Sequence, residues 1–240
     1  MRIAVAGATG VVGAHVVRLA ADAGHDVVPL SRATGTDVAT GAGLPDALDG
    51  ADAVVDVLNV STQQTDVAQR WFRRTTEHLS ALARHLVTLS IVGIDGAASG
   101  YYAGKVAQEQ ALAAGPAPWT LLRATQFHEF PGQMAQRLGR GPFVVVPAMR
   151  IATVAAAEVA AELVRLAGGP PQGRVPDLAG PEDAELADLV RRELTAQRRR
   201  RLVLRVPLPG VEGRRMRHGL LPGPGARRVG PTFEDWLSSR

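Results

Sequence analysis

Ile3, Ala4, Val5 and Ala6 form a short unbroken apolar run that stops at Gly7. So short a run, closed by a glycine, predicts a buried strand over 2–6. From residue 11 the period changes, and Val12, Val16, Leu19, Ala20 and Ala23 recur at helical spacing. A helix over 11–23 follows, with Gly24 as its C-terminal cap. The two signatures then alternate. Strands are predicted over 26–30, with Pro29 at an end or edge, over 52–58, apolar on both faces, and over 85–92 and 119–123. Helices are predicted over 44–48, 63–84 and 101–114, and residues 35–40 read as a short strand or loop.

Alternation of strand and helix as far as residue 125 predicts an α/β fold of the Rossmann type, a doubly wound parallel sheet. Ligands of such sheets sit at the carboxyl ends of the strands. Beyond 125 the pattern loosens. A helix is predicted over 154–167, a turn cluster over 168–173 and a strand over 174–180. A helix over 181–194 is predicted with Pro181 in its first turn, then a strand over 202–209, with irregular chain up to FEDWL. Residues 1–125 thus read as the core and 126–240 as a smaller substrate lobe, with 151–180 packing back onto the core.

Composition narrows the chemistry. Among 240 residues, 46% are hydrophobic and 21% charged, as in a folded globular chain. There is no cysteine, which excludes disulfides, thiolate metal sites and a cysteine nucleophile and suits a cytoplasmic location. His15, His25, His78, His85, His128 and His218 include no pair four residues apart, so no metal site is expected. His128 is the one placed to touch substrate, and His85 reads as structural. No apolar run is long enough to span a bilayer, and glycines interrupt the apolar N-terminus before His15 and Arg18, unlike a signal peptide. Between Arg191 and Arg228 lie 12 arginines against Glu193 and Glu212, so the basicity is local. That segment lacks interleaved aromatics, and neither nucleic acid nor membrane is expected as a partner.

The first strand runs into Gly7-Ala8-Thr9-Gly10-Val11-Val12-Gly13 and then a helix. Gly7 permits a tight turn, Gly10 lets backbone approach a pyrophosphate, and Gly13 lets helix and strand pack closely. The backbone from Thr9 to Gly13 then offers N–H groups and a positive helix end to phosphates. Residues 1–125 are therefore expected to bind a dinucleotide. The second strand ends in Ser31-Arg32 with no acid to hold ribose hydroxyls, and Arg32 has the planar fork suited to a 2′-phosphate. NADP(H) is expected ahead of NAD(H).

The 27 basic residues are 26 arginines and one lysine, Lys105, and the chain has only two tyrosines. Tyr101 and Lys105 are four apart on one helix face. One lysine placed at random would fall four residues after a tyrosine only about 2 times in 240. A nearby ammonium lowers a phenol's pKa from its free value near ~10 and eases proton transfer at neutral pH. Tyr102 is out of register and reads as packing or substrate wall.

GATGVVG, the Tyr-x-x-x-Lys of YYAGKVAQE, LSIVGID before it, WTLLRATQFHEF after it, DLAGPE and GPTFEDWL together resemble the short-chain dehydrogenase/reductase superfamily. The resemblance is closest to its atypical NmrA-like NAD(P)-binding branch and covers nearly the whole chain. It implies that Tyr101 transfers the proton, that Lys105 tunes it and holds the nicotinamide ribose, and that Ser90 steadies the substrate carbonyl, with Thr88 and Ser99 as alternatives to Ser90. It further implies that Asp37 and Val38 cup the adenine, that Leu58 and Asn59 line the nicotinamide ribose, and that Thr125, Gln126 and Phe127 close over the nicotinamide. The superfamily's active-site asparagine has no clear match. The implied activity is hydride transfer to or from a small carbonyl, quinone or enone. Many members of this branch lack the Tyr–Lys pair and some are NADP(H)-sensing regulators, so a non-catalytic sensor is the alternative, with an epimerase or dehydratase of recycled cofactor as a third reading. A small-molecule substrate is the expected partner, and the oligomeric state is not legible.

Overall fold

A computed structural model describes residues 1–218 and 220–240. The chain forms two compact units, Met1–Arg123 with Val159–Val175, and Ala124–Glu158 with Pro176–Arg240.

The first unit begins with β1 (Arg2–Ala6), α1 (Val11–Asp22), β2 (Asp26–Leu30), α2 (Leu44–Leu48) and β3 (Ala53–Asp56). There follow α3 (Thr65–Ser80), β4 (Leu86–Ile91), α4 (Gly100–Ala114) and β5 (Trp119–Ala124), whose last residue enters the second unit. In space the strands run β2-β1-β3-β4-β5. β1 pairs in parallel with β2 on one side and β3 on the other, Ala6 lying opposite Leu30 and Asp56. The strand order therefore reverses at β1, which makes the gap between the ends of β1 and β3 the switch point where such sheets bind ligands. The sheet is doubly wound and of the Rossmann type, as the alternation predicts. Strands buried on both faces explain the apolar runs, and all four residues of β3 are buried. Ala4, Ala6, Leu30, Val54, Leu79, Leu86, Leu112 and Leu121 share one core cluster. Gly24, at φ +80°, follows the Ala23 cap of α1 and its N–H bonds the Ala21 carbonyl.

Helices α3 and α4 lie close together, and Gly104 is the reason they can. A Cβ there would sit 2.8 Å from Ala68 Cβ and 2.8 Å from Phe72 Cδ2, with Ala68 backbone at 3.0 Å. Alanine normally favours a helix over glycine by about 1 kcal/mol. Overpacking a filled interface costs roughly 1–3 kcal/mol. Gly104→Ala is therefore expected to destabilise the protein, read as a lower midpoint of thermal unfolding. A midpoint at or above the parent's would refute the packing argument.

The second unit holds α5 (Phe130–Arg137), β6 (Gly139–Arg140), β7 (Phe143–Pro147) and β8 (Arg150–Ile151), then the start of α6 (Ala156–Ala167). From Val159 that helix belongs to the first unit, as does β9 (Gly173–Arg174), which pairs with β5. Back in the second unit come β10 (Leu178–Ala179), β11 (Ala184–Glu185), α7 (Leu186–Ala196), β12 (Leu202–Val206), α8 (Gly210–His218), β13 (Arg227–Arg228) and α9 (Phe233–Ser238). β10 pairs in parallel with β13 and with Ala124, β11 pairs antiparallel with β8, and β12-β7-β6 form a separate sheet.

The helix expected from Pro181 starts at Leu186, because Ala184 and Glu185 pair with Ile151 and Arg150 as a strand. The strand expected over 174–180 is two short strands, β9 and β10, in different units. Residues 210–218, read as irregular, are helical, with Gly210 at φ +73° just after Pro209.

Candidate active site

The loop between β1 and α1 closes on the switch point of the first unit. Gly7 has φ +88°, and a Cβ on it would sit 2.8 Å from the Val57 carbonyl oxygen, so a glycine is needed for both conformation and space. A Cβ on Gly13 would collide with the Gly7 carbonyl, which ties α1 tightly to the loop. At Gly10 a Cβ would meet only that carbonyl, at 3.3 Å, so this side of the loop is open. Gly10 caps α1 without a side chain, and the first turn, which starts with Val11 and Val12, carries no acid. The free N–H groups and positive end of α1 are thus available to an anion. Thr9 is exposed beside them. This cradle fits the pyrophosphate of a dinucleotide.

Past β2, Ser31 caps a single 3-10 turn, Arg32–Thr34, and bonds Thr34 reciprocally. Arg32 is exposed in that turn. Asp37 Oδ1 accepts the Ala39 N–H at 2.9 Å, so its carboxylate shapes a turn. Val38 is buried and its carbonyl bonds His78 Nδ1 at 2.8 Å. A surface cleft of about 380 Å³ nearby is lined by Val28, Pro29, Thr34, Gly43 and Asp46 and includes none of the expected site residues.

Lys105 is buried in α4 and donates from Nζ to the Leu89 carbonyl at 2.8 Å, with the Phe72 ring 4.8 Å away. Burial lowers its pKa to about 8, against the pull of Asp56 and Glu109. Tyr101 stacks edge-on against Phe72, centroids 5.6 Å apart, and against Tyr102 at 5.9 Å. Burial, with Tyr102 adding to it, pushes the Tyr101 phenol well above its ordinary value. The expected lowering by Lys105 is absent, because that ammonium is turned onto Leu89 and Phe72. Ser90 and Thr88 project from one face of β4. Both hydroxyls are buried without a hydrogen-bond partner among the described residues. Ser99 caps α4.

Sequence reasoning missed Asp56. It ends β3 opposite Thr88 of β4, and it is fully buried. Oδ1 accepts the Leu58 N–H at 3.0 Å and Oδ2 accepts Gln108 Nε2 at 2.9 Å. Burial raises its pKa, while Lys105 and the two hydrogen bonds pull it down. The signal was present: an aspartate inside the apolar run AVVDVL must find partners if the strand is buried. Leu58 is half-buried and Asn59 exposed just beyond it.

The remaining expected residues lie in the second unit. Thr125 N–H bonds the Leu178 carbonyl, and Gln126 and Phe127 run beside Val154. The Thr125 hydroxyl and both polar atoms of the Gln126 amide are buried without a partner among the described residues. Leaving such groups bare costs about 1–3 kcal/mol each, so this loop suits a polar ligand group. His128 does not stand free for substrate. Its ring nitrogens lie 2.8 Å from Thr153 Oγ1 and 3.2 Å from the Pro231 carbonyl, and Phe233 and Trp236 flank it. No group of three metal-ligating side chains occurs among the described residues, which exclude the side chains of Glu212 and His218.

His85, bonded to Thr120 Oγ1 at 2.9 Å, and His128 both have pKa values lowered by burial. The folded state therefore binds fewer protons than the unfolded state below the free value of 6.5. Their stabilising contribution is complete above pH 6.5 and is lost as pH falls below it towards the folded values. The expected result is a thermal midpoint that falls between pH 7.5 and 5, with a shallower fall in His85→Gln/His128→Gln. Equal slopes for parent and variant would refute it.

No family model matches the chain, and no curated protein matches it. Its structure is similar to several solved ones. A short-chain dehydrogenase/reductase superfamily protein from Agrobacterium tumefaciens with bound NAD superposes with a TM-score of 0.67 and 18% identity, covering 100% of this chain and 95% of that one. The dTDP-4-dehydrorhamnose reductase of Bacillus anthracis in complex with NADP gives 0.69 and 14%, covering 98% and 96%. The UDP-N-acetylglucosamine 4-epimerase of Bacillus cereus gives 0.70 and 14%, covering 100% and 94%. At these identities the likeness shows the fold alone, a Rossmann-type α/β fold shared with these NAD- and NADP-bound structures. It does not reach the NmrA-like branch.

Proposed function

We propose that this protein is an oxidoreductase that binds a nicotinamide dinucleotide, NADP(H) ahead of NAD(H), and acts on a small carbonyl, quinone or enone. The observation that carries this reading is the chain's one lysine, buried one turn beyond Tyr101 on α4, in the unit that also holds the open glycine cradle. The backbone of Gly7 and Thr9–Gly13 would hold the pyrophosphate, Ser31 and Arg32 the 2′-phosphate, and Asp37 and Val38 the adenine edge. Leu58, Asn59 and Lys105 would meet the ribose. The cofactor, when bound, supplies or accepts the hydride. Tyr101 gives or takes the proton at the substrate oxygen. Lys105 favours the phenolate once its ammonium faces the phenol. The unpartnered hydroxyl of Ser90 offers the oxygen a hydrogen bond.

A specific observation favours the second reading, a non-catalytic NADP(H) sensor: the Lys105 ammonium is engaged by the Leu89 carbonyl and lies over the Phe72 ring. The third, an epimerase with recycled cofactor, draws on the epimerase among the similar structures. One experiment separates the three. Oxidation of NADPH and of NADH is followed against quinones, ketones and enones, for the parent and Tyr101→Phe. Turnover with NADPH that the variant loses supports the oxidoreductase. No turnover with any acceptor refutes it in favour of the sensor, and cofactor that stays bound through purification favours the epimerase. Turnover that prefers NADH refutes the role of Arg32.

A further inference from the structure

The β12-β7-β6 sheet of the second unit has one covered face and one bare one. Val144, Val146 and Val203 are buried. The alternate positions Phe143, Val145, Leu202, Leu204 and Val206 point the other way and are between 39% and 57% exposed. The register sets Leu202 opposite Phe143 and Leu204 opposite Val145, so they form one continuous apolar stripe. Folded monomers seldom leave contiguous apolar patches above roughly 300–600 Å² without a use.

The stripe opens directly from a cationic run. Arg198, Arg199, Arg200 and Arg201 precede Leu202, and none of them has an ion-pair partner among the described residues, nor does Arg214 in α8. Other arginines of the region are neutralised: Arg191 by Asp188, Arg205 by Glu185 and Arg228 by Asp183. The occupant must therefore be apolar and anionic together. A second copy is disfavoured: twofold pairing with parallel strands would bring two Arg198–Arg201 runs together, and antiparallel pairing would lay an apolar stripe with no acidic side chain against a twin of itself, leaving both runs without counter-charge. The stripe has one aromatic ring and no hydrogen-bonding side chain with which to specify a protein. A phospholipid surface asks for neither: aliphatic side chains enter the acyl boundary while guanidinium forks grip phosphates.

Against the expectation from sequence of no membrane partner, we propose that the bare face of β12 and β7, with the arginines from Arg198 to Arg201, docks this protein onto an anionic phospholipid surface. Attachment is peripheral, since no helix among the described residues is long and apolar enough to cross a membrane. The site is independent of the proposed hydride transfer.

The test is flotation of the full chain with phosphatidylcholine vesicles, with and without phosphatidylglycerol, at low and high salt. Binding is expected to the anionic vesicles alone and to weaken with salt. Arg199→Gln/Arg200→Gln should weaken it by roughly fivefold per arginine. Leu202→Ser/Leu204→Ser, which leaves the charge unchanged on an exposed face, should weaken it by about tenfold or more. Circular dichroism checks that both variants fold. The proposal is overturned by no vesicle binding; by binding that the serine variant keeps in full, which makes it plain charge adsorption; or by a parent dimer that the serine variant dissociates without any vesicle binding, which assigns the face to a second copy. Binding to an acidic amphipathic peptide but to no vesicle also overturns it.

Discussion

Replacing Tyr101 with phenylalanine is expected to lower turnover by about 10²–10⁴ while leaving cofactor affinity within a few-fold of the parent. The substitution removes one oxygen and keeps the ring, so the edge-on stacking with Phe72 and Tyr102 survives. The cradle at Gly7–Gly13 is untouched. The measurement is steady-state turnover beside a direct cofactor titration. A variant as active as the parent would remove Tyr101 from the chemistry. Loss of both turnover and cofactor binding would mean a collapsed site, and a lower thermal midpoint would expose that. The raised phenol pKa adds a further requirement. For Tyr101 to work near neutrality, Lys105 must swing from the Leu89 carbonyl towards the phenol, and Lys105→Met should therefore be as damaging as Tyr101→Phe.

The second large effect concerns Asp56. A buried donor left without its acceptor costs about 1–3 kcal/mol. Asp56→Leu strands two of them, Gln108 Nε2 and the Leu58 N–H, and should lower stability in chemical denaturation by that order for each, while the buried Lys105 ammonium also loses the attraction of Asp56. Asp56→Asn keeps an acceptor oxygen and should cost less. It should nevertheless drop the Lys105 pKa below its value of about 8, because the attraction that opposes burial is gone. The single lysine makes this readable without any substrate, as 13C-lysine labelling yields one side-chain resonance to titrate. An unmoved titration in Asp56→Asn would show that Asp56 does not govern the lysine's charge.

Much of the first unit was legible because its signals are local. A short apolar run closed by glycine, followed by a change to helical period, gives β1 and α1 without knowledge of the rest of the chain. The glycine spacing and the Tyr–Lys spacing are also local, each spanning two turns or less. The second unit was read less well. Its strands are two to five residues long, too short for a period to emerge, and Ala184–Glu185 becomes a strand only through pairing with Arg150–Ile151.

Taken alone, then, the order of residues determined the alternating architecture, the glycine turn ahead of α1 and the placing of Tyr101 and Lys105 one turn apart on α4. Tertiary structure decided what lies against them. Asp56 and Lys105 are 49 positions apart and influence each other because β3 and β4 are neighbours in the sheet and α4 packs over them. The alternation in LVLRV defines two faces of β12, but only its pairing with β7 determines which one is left bare. Local preference is written in neighbouring side chains, whereas burial is a property of the whole chain's packing.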